Sequence, residues 1–183
     1  MKEKKDVLQT HKRTVLLYEE ITQNTAVDIG KQIALHNISS EKDRIDLLIN
    51  SSGGNPDAAL MIYDAIRLSR APVYATVKGM CGSIAILALV ACKPDRRSAS
   101  EFSRFLIHPI TRSPVIVITE NSKLLALQKE LRESFSIRKK KQKKINQLIC
   151  KSTKLTLRDC KNLSEKFFLA QRAHKYGLVA KVI

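Results

Sequence analysis

Arg44-Ile-Asp-Leu-Leu-Ile-Asn-Ser-Ser-Gly-Gly54 is an apolar, β-prone run that stops at two glycines, and Pro56 opens an amphipathic stretch directly behind it. A buried strand followed by a helix start is the simplest reading, since proline and aspartate favour the first helical turn. That helix is expected over Pro56 to Ser69. Pro72-Val-Tyr-Ala-Thr-Val77 is the next strand, expected to break at Gly79, and Ser83 to Ala91 follows as an apolar helix buried on all sides. Upstream, Thr14-Val-Leu-Leu-Tyr18 is a short strand. Asn24 offers an N-cap for a helix over Thr25 to His36, with Ala26, Ile29, Ile33 and Leu35 at its apolar positions. Alternating strands and helices predict βαβ units and a mostly parallel sheet flanked by helices.

Downstream, Phe102 to Ile107 reads as a strand ending at His108, and Pro114-Val-Ile-Val-Ile-Thr119 as another. A long helix is expected from Ser122 to about Ile149, then one or two helices and a closing strand over Leu178 to Ile183. No Pro/Ser-rich linker divides the chain, and no internal repeat appears. The expected division is a basic N-terminal segment, residues 1–13, and one domain over 14–183.

The 183 residues suffice for one domain with a real core, and 44% apolar with 27% charged residues is a globular composition. The longest apolar run, Ile84 to Cys92, is too short to span a bilayer, and the first twenty residues lack a signal-peptide pattern. Neither membrane nor secretion is therefore expected. Cys81, Cys92, Cys150 and Cys160 lack metal-ligand spacing and fit buried reduced thiols. They suit the cytoplasm or an equivalent reducing organelle interior. No metal or cofactor is expected.

The net charge of +16 could draw nucleic acid, anionic membrane or an acidic partner. Much of it is concentrated in Arg138-Lys-Lys-Lys-Gln-Lys-Lys144, six positive charges in seven residues, which fits a solvated helix face. No stacking aromatics accompany this run as a single-strand binding surface would require, so nucleic acid is not the expected partner.

Two glycine-marked turns, Gly53-Gly54 and Gly79-Met-Cys-Gly-Ser83, follow two strands, and ligand sites in open α/β sheets collect at such carboxyl ends. A serine at a helix start can present its hydroxyl beside unpaired helical N–H groups, and a glycine lets backbone come equally close. Acyl transfer needs this combination of nucleophile and oxyanion donors. His108 ends the following strand and is the one histidine placed to meet Ser83; His11, His36 and His174 fall in the tail, at a helix end and on a surface helix. Taken singly, Ser83 also fits a helix cap, Gly53-Gly54 a tight turn, and His108 a strand-end residue.

As an ordered set these motifs resemble the proteolytic subunit of the Clp protease. Ile49-Asn-Ser-Ser-Gly-Gly54 is similar to its Ile-Asn-Ser-Pro-Gly-Gly, and Ile62-Tyr-Asp64 to its Ile-Tyr-Asp. Gly79-Met-Cys-Gly-Ser83 resembles its Gly-x-Ala-Ala-Ser nucleophile turn, and Leu106-Ile-His-Pro109 its Met-Ile-His-Gln-Pro without the glutamine. Ala173-His-Lys-Tyr-Gly-Leu-Val179 resembles its closing motif, so the likeness covers residues 14–183.

The resemblance implies a crotonase-like α/β subunit with a protruding strand–helix handle, here over roughly residues 110–150. It implies stacked seven-membered rings of one or two kinds of subunit, fed unfolded polypeptides by an AAA+ unfoldase. It assigns Ser83 as nucleophile, His108 as general base, and the backbone amides of Gly54 and Ile84 as oxyanion hole. The third triad position falls on Glu165, with Asp159 as the rival acid. Ser52 stands where the signature has proline, and Ser164 where the family has an arginine in ring contacts. The function implied is a serine endopeptidase of an ATP-dependent protease. A noncatalytic or weakly active subunit in a mixed ring is the alternative, and an acyl-CoA enzyme of crotonase fold a remoter one.

Overall fold

The computed structural model describes residues 13–109, 124–163 and 166–183, with the backbone alone for 124–130. The chain opens with β1 (Thr14–Leu17), α1 (Gln23–Ser39), β2 (Ile45–Ser51), α2 (Pro56–Leu68) and β3 (Val73–Gly82). A single 3-10 turn (Ser83–Ala85) leads into α3 (Ile86–Ala91), followed by β4 (Arg97–Ala99) and β5 (Arg104–Ile107). The long helix α4 (Leu124–Ser152) precedes α5 (Leu157–Asn162), β6 (Lys166–Leu169), α6 (Ala170–Lys175) and β7 (Lys181–Val182).

Strands β1, β2, β3, β4 and β7 lie side by side in that order, all parallel. Strand β5 leaves this path: it pairs parallel with the far end of β3 and antiparallel with β6. The mostly parallel α/β architecture read from the sequence is present. The core rests on aliphatic side chains, with Ile45, Leu47, Ile49, Val77, Leu87 and Leu89 all at 0% exposure. Burying such a side chain contributes about 1.5–3 kcal/mol, so the central strands and α3 carry much of the stability.

Several local expectations change. Thr22, not Asn24, caps α1: its Oγ1 accepts from the Thr25 N–H at 3.2 Å, and the helix begins at Gln23, two residues before the expected start. Leu35 is 63% exposed, while Ile29 and Ile33 are buried as the spacing predicts. Strand β3 does not break at Gly79 but runs on to Gly82. Gly79 has φ 104°, and a Cβ there would lie 2.6 Å from Asn50 Oδ1, which instead accepts the Met80 N–H at 3.0 Å. The buried Ser103 hydroxyl donates to the Val77 carbonyl and accepts from Gly79 N. The strand thus pairs with β4 through Ala75–Val77, and with β5 through Met80–Gly82. This change of partner delivers Gly82 and Ser83 beside the end of β5.

Arg97 is 2% exposed, and its guanidinium is held by backbone carbonyls. Its Nε donates to the Cys92 carbonyl at 2.9 Å, Nη2 to Val90 at 2.9 Å and Nη1 to Ser152 at 2.8 Å. One guanidinium therefore caps the carboxyl ends of both α3 and α4, where orphan carbonyls and helix dipoles favour a cation. Burial pulls its pKa down to about 10, still well above neutrality. The strand read at Pro114–Thr119 and the N-terminal segment before Arg13 lie outside the described residues. Among the described residues, no helix is long and apolar enough to cross a membrane.

Candidate active site

The turn after β2 is built by backbone and small side chains. Ser51, 3% exposed, donates to the Glu19 carbonyl at 2.6 Å and accepts from Gly53 N at 3.2 Å. Thr25 Oγ1 donates within the same loop, to Glu19 Oε1 or the Glu20 carbonyl, both at 3.1 Å. Ile21 then docks on the turn: its N–H donates to Gly53 O and its carbonyl accepts from Asn55 N, both at 2.7 Å. In a parallel bridge of this kind the flanked residue, Gly54, turns its own N–H to the opposite side. Asn55 then caps α2, its Oδ1 accepting from the N–H groups of Asp57 and Ala58.

The two glycines are sterically required. Gly53 has φ 106° and a Cβ on it would meet Ser83 Cβ at 2.7 Å; Gly54 has φ 146° and its Cβ would strike the Ile21 carbonyl at 2.3 Å. Gly82 is as crowded, against Met80 and the Ser52 carbonyl. These contacts press the β2 turn directly onto the Ser83 turn.

Among the described residues, Ser83 alone is a non-glycine residue with positive φ, at 53°. Such a conformation costs of order 1–3 kcal/mol and persists where surrounding structure enforces it. Here the enforcing frame is the fully buried α3 behind it and Gly53 in front. Ser83 opens the 3-10 turn, so the N–H groups at this helix start lack intrahelical partners. Cys81, two residues earlier, is no rival nucleophile: it is fully buried, and desolvation pushes its thiol pKa far up.

Ser83, Ile84, Gly54 and His108 line one cavity of about 240 Å³, walled also by Ile107 and, from α4, by Ile145 and Ile149. Its polar rim includes Glu20, Gln142 and Asn146. The cavity sits past the carboxyl ends of β2, β3 and β5. His108 Nδ1 lies 2.7 Å from the Pro109 carbonyl, which can only accept. Nδ1 therefore carries the hydrogen, and in the neutral ring Nε2 is left as acceptor. Among the described residues, no hydrogen bond joins His108 to Ser83.

Asp159, the rival acid, lines neither this cavity nor its rim. Its Oδ2 accepts from Thr156 N at 2.8 Å and from Thr156 Oγ1 at 2.6 Å, forming a capping box at the start of α5. Those hydrogen bonds hold its carboxyl below the usual range, the Thr156 hydroxyl foremost. Glu165 and Ser164 lie outside the described residues. The cysteines are free thiols, with Cys92 and Cys160 both pushed up to about 12 by burial.

Sequence reasoning missed the supports around these residues. Ser51 and Ser103 are ordinary serines in sequence, and only their burial marks them as fasteners. Asn55 was legible in principle, as an Asn–Pro–Asp helix start.

Comparisons with known proteins bear on the fold and the family. The Clp protease family model matches residues 3–183. The ATP-dependent Clp protease proteolytic subunit 2 of Treponema pallidum is 31% identical over 173 residues, covering 93% of this chain and 82% of that one. Its counterpart from Treponema denticola is 32% identical over 178 residues, covering 93% and 81%. Among solved structures, a ClpP1 mutant from Listeria monocytogenes superposes with a TM-score of 0.80 at 26% identity, covering 98% of this chain and 94% of that one. The chain therefore has the ClpP fold and belongs to the Clp protease family.

Proposed function

We propose that the chain is a catalytically active serine endopeptidase subunit of an ATP-dependent Clp-type protease. The observation that carries this reading is the convergence of Ser83, held at φ 53°, with His108, Gly54 and Ile84 on one cavity. In this reading Ser83 Oγ attacks the scissile carbonyl while His108 Nε2 accepts its proton. The N–H groups of Gly54 and Ile84 stabilise the tetrahedral oxyanion. The imidazolium then protonates the leaving amine, the C–N bond breaks, and the acyl group stays on Ser83. Water, deprotonated by His108, hydrolyses the ester and frees the enzyme.

The third role is proposed for Glu165. The Pro109 carbonyl already selects the Nδ1–H tautomer, and Glu165 would take over Nδ1 as the ring gains charge. The capping duty of Asp159 favours Glu165 over it. Assembly belongs to the same proposal: stacked heptameric rings, alone or with a second subunit type, receiving unfolded polypeptides from an AAA+ unfoldase. Leu35 and Ile38 of α1, with Leu68 of α2, are 63%, 83% and 81% exposed. The bond from Asn37 to Ser69 brings these helix ends together, and a neighbouring subunit would cover their exposed apolar side chains.

A second reading, a noncatalytic subunit of a mixed ring, is favoured by the turn of His108 Nδ1 toward Pro109 with no bond from His108 to Ser83. The two readings separate on turnover of an unfolded polypeptide by the native complex. Active chemistry predicts that Ser83→Ala removes this chain's share of cleavage, whereas a structural subunit predicts an unchanged rate. Native mass measurement of the same sample counts the subunits.

A further inference from the structure

The basic run Arg138 to Lys144 does not form a uniform solvated face. Lys141 turns to the body of the protein, where Nζ bonds both carboxylate oxygens of Asp57 at 2.6 and 2.8 Å. Ile145 and Ile149, on the same side, are buried. The adjoining face of α4 borders a second hollow: Phe135, Arg138, Lys139, Gln142, Lys143 and Asn146 follow helical spacing along it. With Leu157 and Lys161 from α5, they line a groove of about 680 Å³.

Three features distinguish this groove from a solvated charge run. First, every charged residue lining it is basic: Arg138, Lys139, Lys140, Lys143 and Lys161. Second, it has an apolar floor, with Phe135 at 59% and Leu157 at 47% exposure. The Arg138 guanidinium lies 4.6 Å over the Phe135 ring, and its buried Nε and Nη2 have no hydrogen-bond partner among the described residues. Third, it adjoins the candidate active-site cavity: Gln142 and Asn146 line both, and Pro109 borders the groove one residue after His108.

A peptide lying in the cavity would run on into this groove. Arg138 and Lys139 are three to four residues along α4 from Gln142, a distance of about 5–6 Å. An extended chain covers that in about two residues. We propose that the groove is a specificity subsite taking the acidic side chains of an extended polypeptide, about two or three residues from the scissile bond. It rests on the peptidase reading, which it deepens by naming a substrate class. The Arg138 guanidinium, with Nε and Nη2 lacking a partner among the described residues, suits a carboxylate in a two-pronged bond. The lysines add attraction that is screened by salt, and the floor holds the substrate's apolar atoms.

The test uses the full chain in its native complex and internally quenched peptides. Positions two and three residues on either side of the scissile bond carry Asp or Glu, their amide counterparts, or Lys. The acidic peptides are expected to show about fivefold to tenfold higher kcat/KM than the amides, mainly through KM, with the margin shrinking as salt rises. The triple variant Lys139→Glu, Lys140→Glu, Lys143→Glu is expected to invert the order and favour the Lys peptides, which a merely structural role would not produce. Turnover with equal kcat/KM across the series, in both proteins, would overturn the subsite and leave the peptidase reading standing.

Binding of the labelled peptides to the Ser83→Ala chain reads the groove without catalysis. Preferential binding of the acidic peptide there supports the subsite even if the parent chain proves inactive. Tighter binding of a single-stranded oligonucleotide to the same groove would overturn the assignment to acidic peptides.

Discussion

The turn that carries Ser83 and the helix that carries the basic run are held by opposite means. Around Ser83, position comes from backbone: glycines in contact distance of serine and carbonyl, buried hydroxyls on loop carbonyls, and α3 wholly out of solvent. Along α4, position comes from one stripe of isoleucines, a lysine–aspartate pair and the Arg97 cap at its end, while the outer face is charged and exposed. The first region tolerates no added atom. The second tolerates most substitutions and can vary in charge without moving the nucleophile. In the proposed reading, chemistry is thus fixed on the sheet edge and specificity is adjustable on the helix.

Substitutions that break the first region should have the largest effects. Ser83→Ala and His108→Ala are each expected to lower peptide hydrolysis by about a millionfold, with little change in thermal unfolding. Glu165→Gln should cost about 10⁴-fold if that carboxylate orients the imidazole. Gly54→Ala forces a Cβ onto the Ile21 carbonyl, so the turn must move. The expected loss is about 10²–10³ in kcat, that of one oxyanion donor, with a fluorophosphonate still labelling Ser83 but more slowly.

Arg97→Met tests the junction of the two regions. It leaves the carbonyls of Val90, Cys92 and Ser152 without their donor, and about 3 kcal/mol of stability should go, read by denaturant midpoint. Asp159→Asn should change least. Its carboxyl pKa is depressed in the folded chain, so its contribution is present above the ordinary carboxyl value of 3.8 and lost as the pH falls below it. The variant should unfold slightly earlier than the parent at neutral pH and converge with it in acid, with turnover retained.

The order of elements through α3 was legible because apolar runs, glycines and Pro56 punctuate them strongly. The site residues were legible as an ordered set, Gly54, Ser83 and His108 each following a strand. The positive φ of Ser83 was not, since local sequence favours an ordinary helix cap, and only contact with Gly53 enforces the strained form. Strand β3 passes through Gly79 because Asn50 and Ser103, 29 residues before and 24 after it, receive its amides. Such long-range partners leave no periodicity to read. Arg97 is in sequence one of two adjacent arginines with nothing to distinguish it, yet tertiary packing gives it two helix ends to cap.

In the proposed reading, Ser83 is a nucleophile activated by His108 within this cavity. Intact-mass measurement of the native complex after exposure to a fluorophosphonate tests it most directly. One adduct per copy of this chain, mapped to Ser83 and absent from both Ser83→Ala and His108→Ala, is the predicted result. A parent chain that remains unmodified, or an adduct that persists in Ser83→Ala, would contradict it.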